Sequence, residues 1–373
     1  MMLDDHDAEA VHAVALTRIS GLNPFLIKKL FAYFGSASLV FRAERNLLVK
    51  IMEPHKNVAA IAESILRFKD FKIIKEEVER AEKLGIKIFS FNESGYPEPL
   101  LTMPDPPAVL YVKGEIKKED CLSIAVVGTR RASSYGLNVA GWLGREISSR
   151  CITVVSGLAR GVDSEAHTGA LEVGGRTIAV VGTGLDIVYP AENKKLAQRI
   201  IENGAIISEF PAGEKPEAWH FPFRNRIIAG LTLGTVVVEA PLKSGALITA
   251  KLAAEYGREV FALPGNITNR KSEGCNRLIK DGAKPVLKIE DIFEEFENKL
   301  PKIPKKTEVL KLGAEEKLIM DTIGESGSFR EEIIQATGMK AHEVSGIILT
   351  LELKGMIKKM PDNSYVKVMG RAR

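Results

Sequence analysis

Six residues, Phe221-Pro222-Phe223-Arg224-Asn225-Arg226, set an aromatic pair beside two arginines and an asparagine, just ahead of the apolar helical run Ile227-Ile228-Ala229-Gly230. Guanidinium groups recognise phosphate oxygens through paired N–H donors, and aromatic faces stack on bases. That mixture at a helix start suits a repeating polyanion carrying flat rings, which is to say single-stranded nucleic acid. Phe223, with charged neighbours, is the better stacking candidate. Phe221 can equally be core, with Pro222 fixing the loop. Of Arg224 and Arg226, one can pair internally with Glu209 or Glu239 while the other faces the ligand, and the sequence does not divide them. Nothing comparable in the chain has the make-up of a bond-breaking centre.

The elements that must position these groups alternate short β-rich runs with helical patterns over residues 123–290. The runs Ile124–Val127, Thr153–Val155, Ile178–Val181, Ala205–Ser208, Val236–Val238 and Val260–Leu263 read as strands. Several are apolar throughout, as expected of parallel strands covered on both faces. The alternation implies βαβ crossovers and a doubly wound sheet. Loops rich in Gly, Ser and Arg follow most strands: Gly128-Thr129-Arg130-Arg131-Ala132-Ser133-Ser134, Ser156-Gly157-Leu158-Ala159-Arg160-Gly161, Gly182-Thr183-Gly184, Lys243-Ser244-Gly245 and Pro264-Gly265-Asn266. In an open parallel sheet these turns emerge at one edge, where ligands bind. Lys243-Ser244-Gly245 at a helix start has the form of an anion nest.

The first loop is not a dinucleotide fingerprint, because Arg130 stands where a second glycine would approach a pyrophosphate. No GxxxxGK[ST] occurs either, which argues against a P-loop ATPase. Asp163, Glu209 and Glu239 could in principle converge on a divalent cation, but their arginine-rich surroundings favour internal ion pairs. Asp163 is expected to cap the helix that follows it. His167, one turn later, is expected to be a packed, hydrogen-bonded histidine rather than half of an acid–base pair.

At 373 residues the chain has room for two or three domains. The net charge of +4 provides no global electrostatic footprint, so any nucleic-acid contact must be local. Three cysteines, Cys121, Cys151 and Cys275, form no CxxC and no metal-ligand cluster, as in a reducing cytosol. The acidic, polar start lacks the look of a secretory signal, and no apolar run is long enough to span a bilayer. A cytoplasmic protein with no membrane partner and no cofactor is expected.

Outside the sheet, residues 7–110 read mainly as helices. Leu16 to Pro24, followed by the amphipathic run Phe25–Phe34 and Gly35, has helix-hairpin-helix character, although an ordinary helical turn explains it as well. Pro97 to Pro107 cannot be regular helix, and a strand Ala108–Val112 follows. Beyond the Pro/Lys-rich stretch 299–311, three helical patterns (Glu315–Gly324, Arg330–Thr337, Ala341–Leu353) and a hairpin describe a winged helix. Its candidate recognition helix, Ala341–Leu353, lacks Arg, Lys, Asn and Gln, which points to protein contact rather than groove reading. The domains are then 1–95 (helical), 96–298 (sheet), 299–311 (linker) and 312–373 (winged helix).

Taken together, Val127-Gly128-Thr129-Arg130, Ser156 to Asp163, Phe221 to Leu231, Val238-Glu239-Ala240, Ser244 to Ala250, Leu263-Pro264-Gly265 and Gly274-Cys275-Asn276-Arg277-Leu278-Ile279 resemble the DNA-processing protein A (DprA/Smf) family. The resemblance is dense over residues 100–290 and looser on either side. Ala246 and Cys275 stand where that family often has Ser and Thr, so side-chain hydrogen bonds from those two positions are in doubt. It implies an α/β fold, an extended Rossmann-like, doubly wound, mostly parallel sheet, with an N-terminal helical (SAM/helix-hairpin-helix-like) domain and a C-terminal winged helix. It further implies a non-enzymatic homodimer that binds single-stranded DNA and loads a RecA-type recombinase during natural transformation. The candidate DNA contacts are Arg130, Arg131, Ser133, Ser134, Arg160, Phe223, Arg224, Asn225, Arg226, Lys243, Ser244, Gly245 and Asn276. The competing reading is a phosphoribohydrolase-like nucleotide-hydrolysing enzyme on a related scaffold. Its Pro-Gly-Gly-x-Gly-Thr signature is absent here, since Pro264-Gly265-Asn266 departs after the first glycine.

Overall fold

The computed structural model describes residues 5–91, 93–299, 312–324, 327–360 and 362–368. Most of the expected linker therefore lies outside the described residues, as does Pro361 of the expected hairpin turn. Six helices come first: α1 (Asp5–Thr17), α2 (Pro24–Phe34), α3 (Ala37–Phe41), α4 (Arg45–Met52), α5 (Val58–Leu66) and α6 (Phe71–Lys83). The sequence dictates both ends of α2. Asn23 Oδ1 accepts the Leu26 N–H at 2.9 Å, Pro24 occupies the first turn, and Gly35 closes the helix at φ 83°.

A nine-stranded sheet follows, built from β1 (Lys87–Ser90), β2 (Val109–Gly114), β3 (Ser123–Val127), β4 (Thr153–Ser156), β5 (Thr177–Val180), β6 (Ala205–Ser208), β7 (Gly234–Val237), β8 (Glu259–Ala262) and β9 (Lys284–Pro285). Its order is β1-β2-β6-β5-β4-β3-β7-β8-β9. All pairs from β6 to β9 are parallel, and β2 joins β6 and β1 antiparallel. Each of the six expected strands is present. β1 and β9 were not expected, because one is four residues at an edge and the other two.

Strand periodicity divides the interior. Ile124 and Val126 of β3 pack on one side of the sheet, while Ala125 and Val127 join a second core continuous with the N-terminal helices. Val154 and Val155 of β4 divide the same way, as do Val236 and Val237 of β7. The helices of the sheet domain are α7 (Glu98–Leu101), α8 (Ser134–Ser148), α9 (Val162–Glu172), α10 (Lys194–Asn203), α11 (His220–Leu231), α12 (Gly245–Glu255), α13 (Glu273–Lys280) and α14 (Glu290–Phe293), of which α8 to α13 connect parallel strands.

α8 and α9 lie against each other with almost no side chain between them. A β-carbon at Gly169 would stand 2.1 Å from the Gly141 carbonyl oxygen, and one at Gly144 would stand 2.2 Å from the Ala166 carbonyl oxygen. Backbone cannot rotate aside, so either substitution would push the helices apart. Alanine brings back roughly 1 kcal/mol of helix propensity, against about 1–3 kcal/mol or more for forced overpacking. Gly169→Ala is therefore expected to be net destabilising, read as an earlier urea midpoint at unchanged slope.

The C-terminal unit has its own core, built on Ile319, Ile333, Val344, Ile348 and Leu351. It comprises α15 (Ala314–Thr322), α16 (Arg330–Thr337), α17 (Ala341–Leu353) and the hairpin β10 (Ile357–Lys359) with β11 (Tyr365–Lys367), the expected winged helix. Its hairpin meets α8 and α9. Lys358 Nζ pairs with Glu165 at 2.6 Å, and Asn138 Nδ2 donates to the Lys367 carbonyl at 2.5 Å.

Candidate nucleic-acid interface

The strand order reverses between β3 and β7, so ligand space would be expected where their carboxyl ends diverge. Glu239 fills that crevice. Its carbonyl accepts the Thr129 N–H at 2.7 Å, and its carboxylate accepts the Ser133 N–H at 2.8 Å and the Ser133 hydroxyl at 2.5 Å. A β-carbon at Gly136 would lie 2.5 Å from Glu239 Oε2, so glycine is what lets the first turn of α8 close over the carboxylate. The positive end of α8, which a dinucleotide fold would offer to a pyrophosphate, is thus satisfied from within. Ser133 is committed to this internal cap.

One strand over, Asp163 does the same for the β4–α9 loop. Its Oδ2 accepts the Gly157 and Ala159 N–H groups at 3.2 and 3.3 Å. Asp163 is not the helix cap that was expected, since Gly161 at φ 77° begins α9 and Asp163 in the first turn reaches back to the loop. Arg224 Nη1 donates to the Gly157 carbonyl at 2.8 Å, while its Nε has no partner among the described residues. A β-carbon at Gly157 would meet both Arg224 Nη2 and Asp163 Oδ2 within 2.7 Å, so the glycine admits the pair. Burial pushes the Asp163 carboxyl up, against the pull of Arg224. It also brings Arg224 down to about 10, with Arg130 adding repulsion and Asp163 opposing it. A buried guanidinium beside a second cation favours an incoming anion.

Such an anion has somewhere to sit. A pocket of about 50 Å³ is lined by Arg130, Gly157, Ala159, Arg160, Tyr189, Pro190, Phe221 and Arg224. One water needs roughly 10–15 Å³, so the space admits a phosphate-sized group. Arg130 lies over the Phe221 ring at 5.0 Å, and that ring is 5.7 Å from Tyr189. No carboxylate pairs with Arg130 or Arg131 among the described residues, and both are exposed. Arg160 forms a two-pronged ion pair with Glu192, at 2.5 and 2.6 Å. At the start of α11, Trp219 (59% exposed) and Phe223 (38%) have ring centroids 6.3 Å apart, both packed on Phe210.

Several other expected contacts are placed differently. Arg226 is 3% exposed and pairs with Glu209 and the Asp105 carbonyl, so it anchors α11 instead of facing a ligand. Its guanidinium lies 4.4 Å from the Phe223 ring centre. Asn225 is 8% exposed and donates to the Gly245 carbonyl at 3.2 Å, tying α11 to α12. Asn276 clamps the Gly265 amide and carbonyl at 3.1 and 3.0 Å. Ser244 caps α12 by accepting the Ala246 N–H, which leaves Lys243 and Gly245 exposed there. Ser134 lies 3.5 Å from Asp362 of the winged helix. Asp163, Glu209 and Glu239 do not converge, because each is spent on a separate internal partner.

Tyr189, Glu192 and Trp219 were missed. Trp219 adjoins the aromatic–arginine motif and could have been read with it. Tyr189 and Glu192 follow a different strand and carry no local signal.

Residues 87–297 match the family described as DNA recombination-mediator protein A, and residues 304–363 match the DprA winged helix domain. The chain is 31% identical to protein Smf of Synechocystis sp., over 96% of its own length and 99% of the relative's. The X-ray structure of DNA processing protein A from Streptococcus pneumoniae superposes with a TM-score of 0.64 at 36% identity, covering 79% of this chain and 99% of that one. The Helicobacter pylori DNA processing protein A, solved for its single-stranded DNA binding mode, superposes with a TM-score of 0.53 at 32% identity, covering 58% and 97%.

Proposed function

This chain belongs to the DNA recombination-mediator protein A (DprA/Smf) family, and from that premise we propose that the rim around Arg130 and Arg224 binds single-stranded DNA. The carrying observation is the pocket where three arginines meet two aromatic rings, with a buried guanidinium at its floor, the start of α8 already closed by Glu239 and the β4–α9 loop amides already held by Asp163. Side chains, not helix ends, then hold the phosphates. Arg130, Arg131 and Arg160 contact the backbone at the surface, Arg224 supplies charge from beneath, and Lys243 extends the cationic line. Tyr189, Phe221, Trp219 and Phe223 offer faces to successive bases. Such a surface favours a flexible strand over a stiff duplex and is indifferent to base order. The single-stranded DNA binding of the Helicobacter pylori relative supports the reading.

The protein acts in this reading as a binding protein, a homodimer that delivers the strand to a RecA-type recombinase, in natural transformation where the cell takes up DNA. Against an enzymatic reading, Asp163 and Glu239 are both engaged by backbone N–H groups, and Glu192 is paired with Arg160. The winged helix serves protein contact. Leu349 and Leu353 of α17, 57% and 82% exposed, stand where a DNA-reading helix would carry donors.

Fluorescence anisotropy with an oligonucleotide of about 30 nucleotides, long enough for several contacts, tests the interface. Arg130→Ala removes a charged hydrogen-bond donor worth about 1.5–3 kcal/mol, so binding is expected to weaken about tenfold or more. Trp219→Ala removes a stacking face worth about 1–3 kcal/mol. Arg130→Ala binding as tightly as the parent would end the proposal. Pull-down of the cognate recombinase, by the full chain and by a chain ending before the winged helix, tests the partnership separately.

A further inference from the structure

Among the described rim arginines, only Arg160 is occupied by an exposed carboxylate. Its Nε and Nη2 face the two oxygens of Glu192 at 2.5 and 2.6 Å, the two-pronged geometry a phosphate would take on the same fork. Both side chains are more than half exposed, at 62% and 53%, so the pair sits in water and can be exchanged. Glu192 is held in place to do this. It rides a short helical turn, Ala191–Asn193, whose Asn193 donates to the Leu158 carbonyl at 2.8 Å and to Ser164 Oγ at 2.9 Å. That turn is stitched to the very loop that carries Arg160. The hydrogen bond from Arg160 holds the Glu192 carboxyl below its usual range, so it stays charged at neutral pH.

We propose that Glu192 is an internal counter-anion which occupies the Arg160 fork in the free protein and must yield it to a DNA phosphate, thereby setting the affinity and salt dependence of the rim. This rests on the DNA-binding reading above. When a phosphate arrives, Arg160 exchanges one anion for another, so its engagement releases little bound salt. The displaced carboxylate also stays near the strand and repels it. Both effects weaken binding, and both disappear when the carboxylate is removed.

The test is an anisotropy titration of a single-stranded oligonucleotide, at about 50 and 200 mM salt where counterion release is readily measured. The proteins are the parent, Glu192→Gln, Arg160→Ala, the double variant and Arg130→Ala, each checked for an unchanged melting temperature. Glu192→Gln is expected to bind about two- to fivefold tighter at low salt, the range of an exposed ion pair. Its log–log salt slope should steepen by about 0.7, one added single-strand contact. In the Arg160→Ala background the gain should vanish, because the effect runs through the fork. Glu192→Gln binding no tighter than the parent would overturn the proposal. So would an equal gain with and without Arg160, which would mark a general field effect. If Arg130→Ala weakens binding while Glu192→Gln changes nothing, this inference alone falls. If Arg130→Ala has no effect, the DNA-binding reading falls with it.

Discussion

Arg226→Met is expected to destabilise the fold by about 3–5 kcal/mol at neutral pH, the cost of leaving a buried charge without its partner. Glu209 follows β6, and its carboxylate meets the Arg226 guanidinium where α11 crosses the sheet. Burial already pushes the Glu209 carboxyl up, and Arg226 is what pulls it back. Without the arginine the folded-state pKa rises further above its unfolded value. The folded protein then binds a proton that the unfolded chain does not, so stability increases as pH falls through the raised pKa. The deficit should therefore be largest near pH 7.5 and shrink toward pH 5.5, measured by urea unfolding at each pH. Equal deficits at both would show that lost packing, and not a stranded carboxylate, sets the cost. Glu209→Ala should sit at the lower end of the range, because Asp105 Oδ2, 3.7 Å from Arg226 Nε, remains to share the charge. Pairing Arg226→Met with Glu209→Leu should recover much of the loss, since a buried ion pair adds little over apolar packing of similar volume.

The same ion pair shows where sequence reading reaches its limit. Arg224 and Arg226 are two residues apart with identical chemistry, and what separates them is a helical turn that sends one to Gly157 and the other to Glu209. No local pattern encodes that, because Glu209 is brought in by β6. Ser133 reads as a phosphate ligand until Glu239, which lies 106 residues away, takes both its N–H and its hydroxyl. Asn225 and Asn276 look like ligands for the same reason, and each proves to tie one loop or helix to another. The strands were legible because burial on both faces demands continuous apolar runs, as in Ser123-Ile124-Ala125-Val126-Val127. β1 and β9 were not, because an edge strand of a few residues with lysine at its start has no such demand. The cationic loops were legible as a set, and their division into ligand-facing and scaffold residues was not. That division depends on carboxylates whose distance along the chain says nothing about their distance in space.

His167 carries the second large effect, and it works through pH. The ring is fully buried in α9. Thr177 Oγ1, on β5, already donates its hydrogen to the Val154 carbonyl at 2.8 Å. The 2.6 Å contact between that oxygen and His167 Nδ1 is therefore made by Nδ1–H, and the neutral ring leaves Nε2 as a bare acceptor. Nε2 has no hydrogen-bond partner among the described residues. Protonating it would bury a cation with nothing to receive the new N–H. The charged groups near it are Arg224 of α11, which repels, and Asp163 one turn earlier, which is already spent on Gly157 and Ala159. Burial, reinforced by Arg224, lowers the His167 pKa to about 3. Unfolded, the same ring titrates near 6.5. Between those values the unfolded chain holds a proton that the folded one refuses, so stability falls as the solution is acidified. The residue's own contribution to that fall is about 2 kcal/mol by pH 5 and about 3 kcal/mol by pH 4, relative to neutral pH. His167→Gln, which cannot titrate, should be less stable than the parent at pH 7.5, where the packed ring is lost. It should then lose stability more slowly on acidification, so that the two urea-unfolding curves converge below pH 5. Curves that stay parallel across this range would show that the imidazole titrates alike in both states, and the buried, half-satisfied ring inferred from the Thr177 geometry would have to be abandoned.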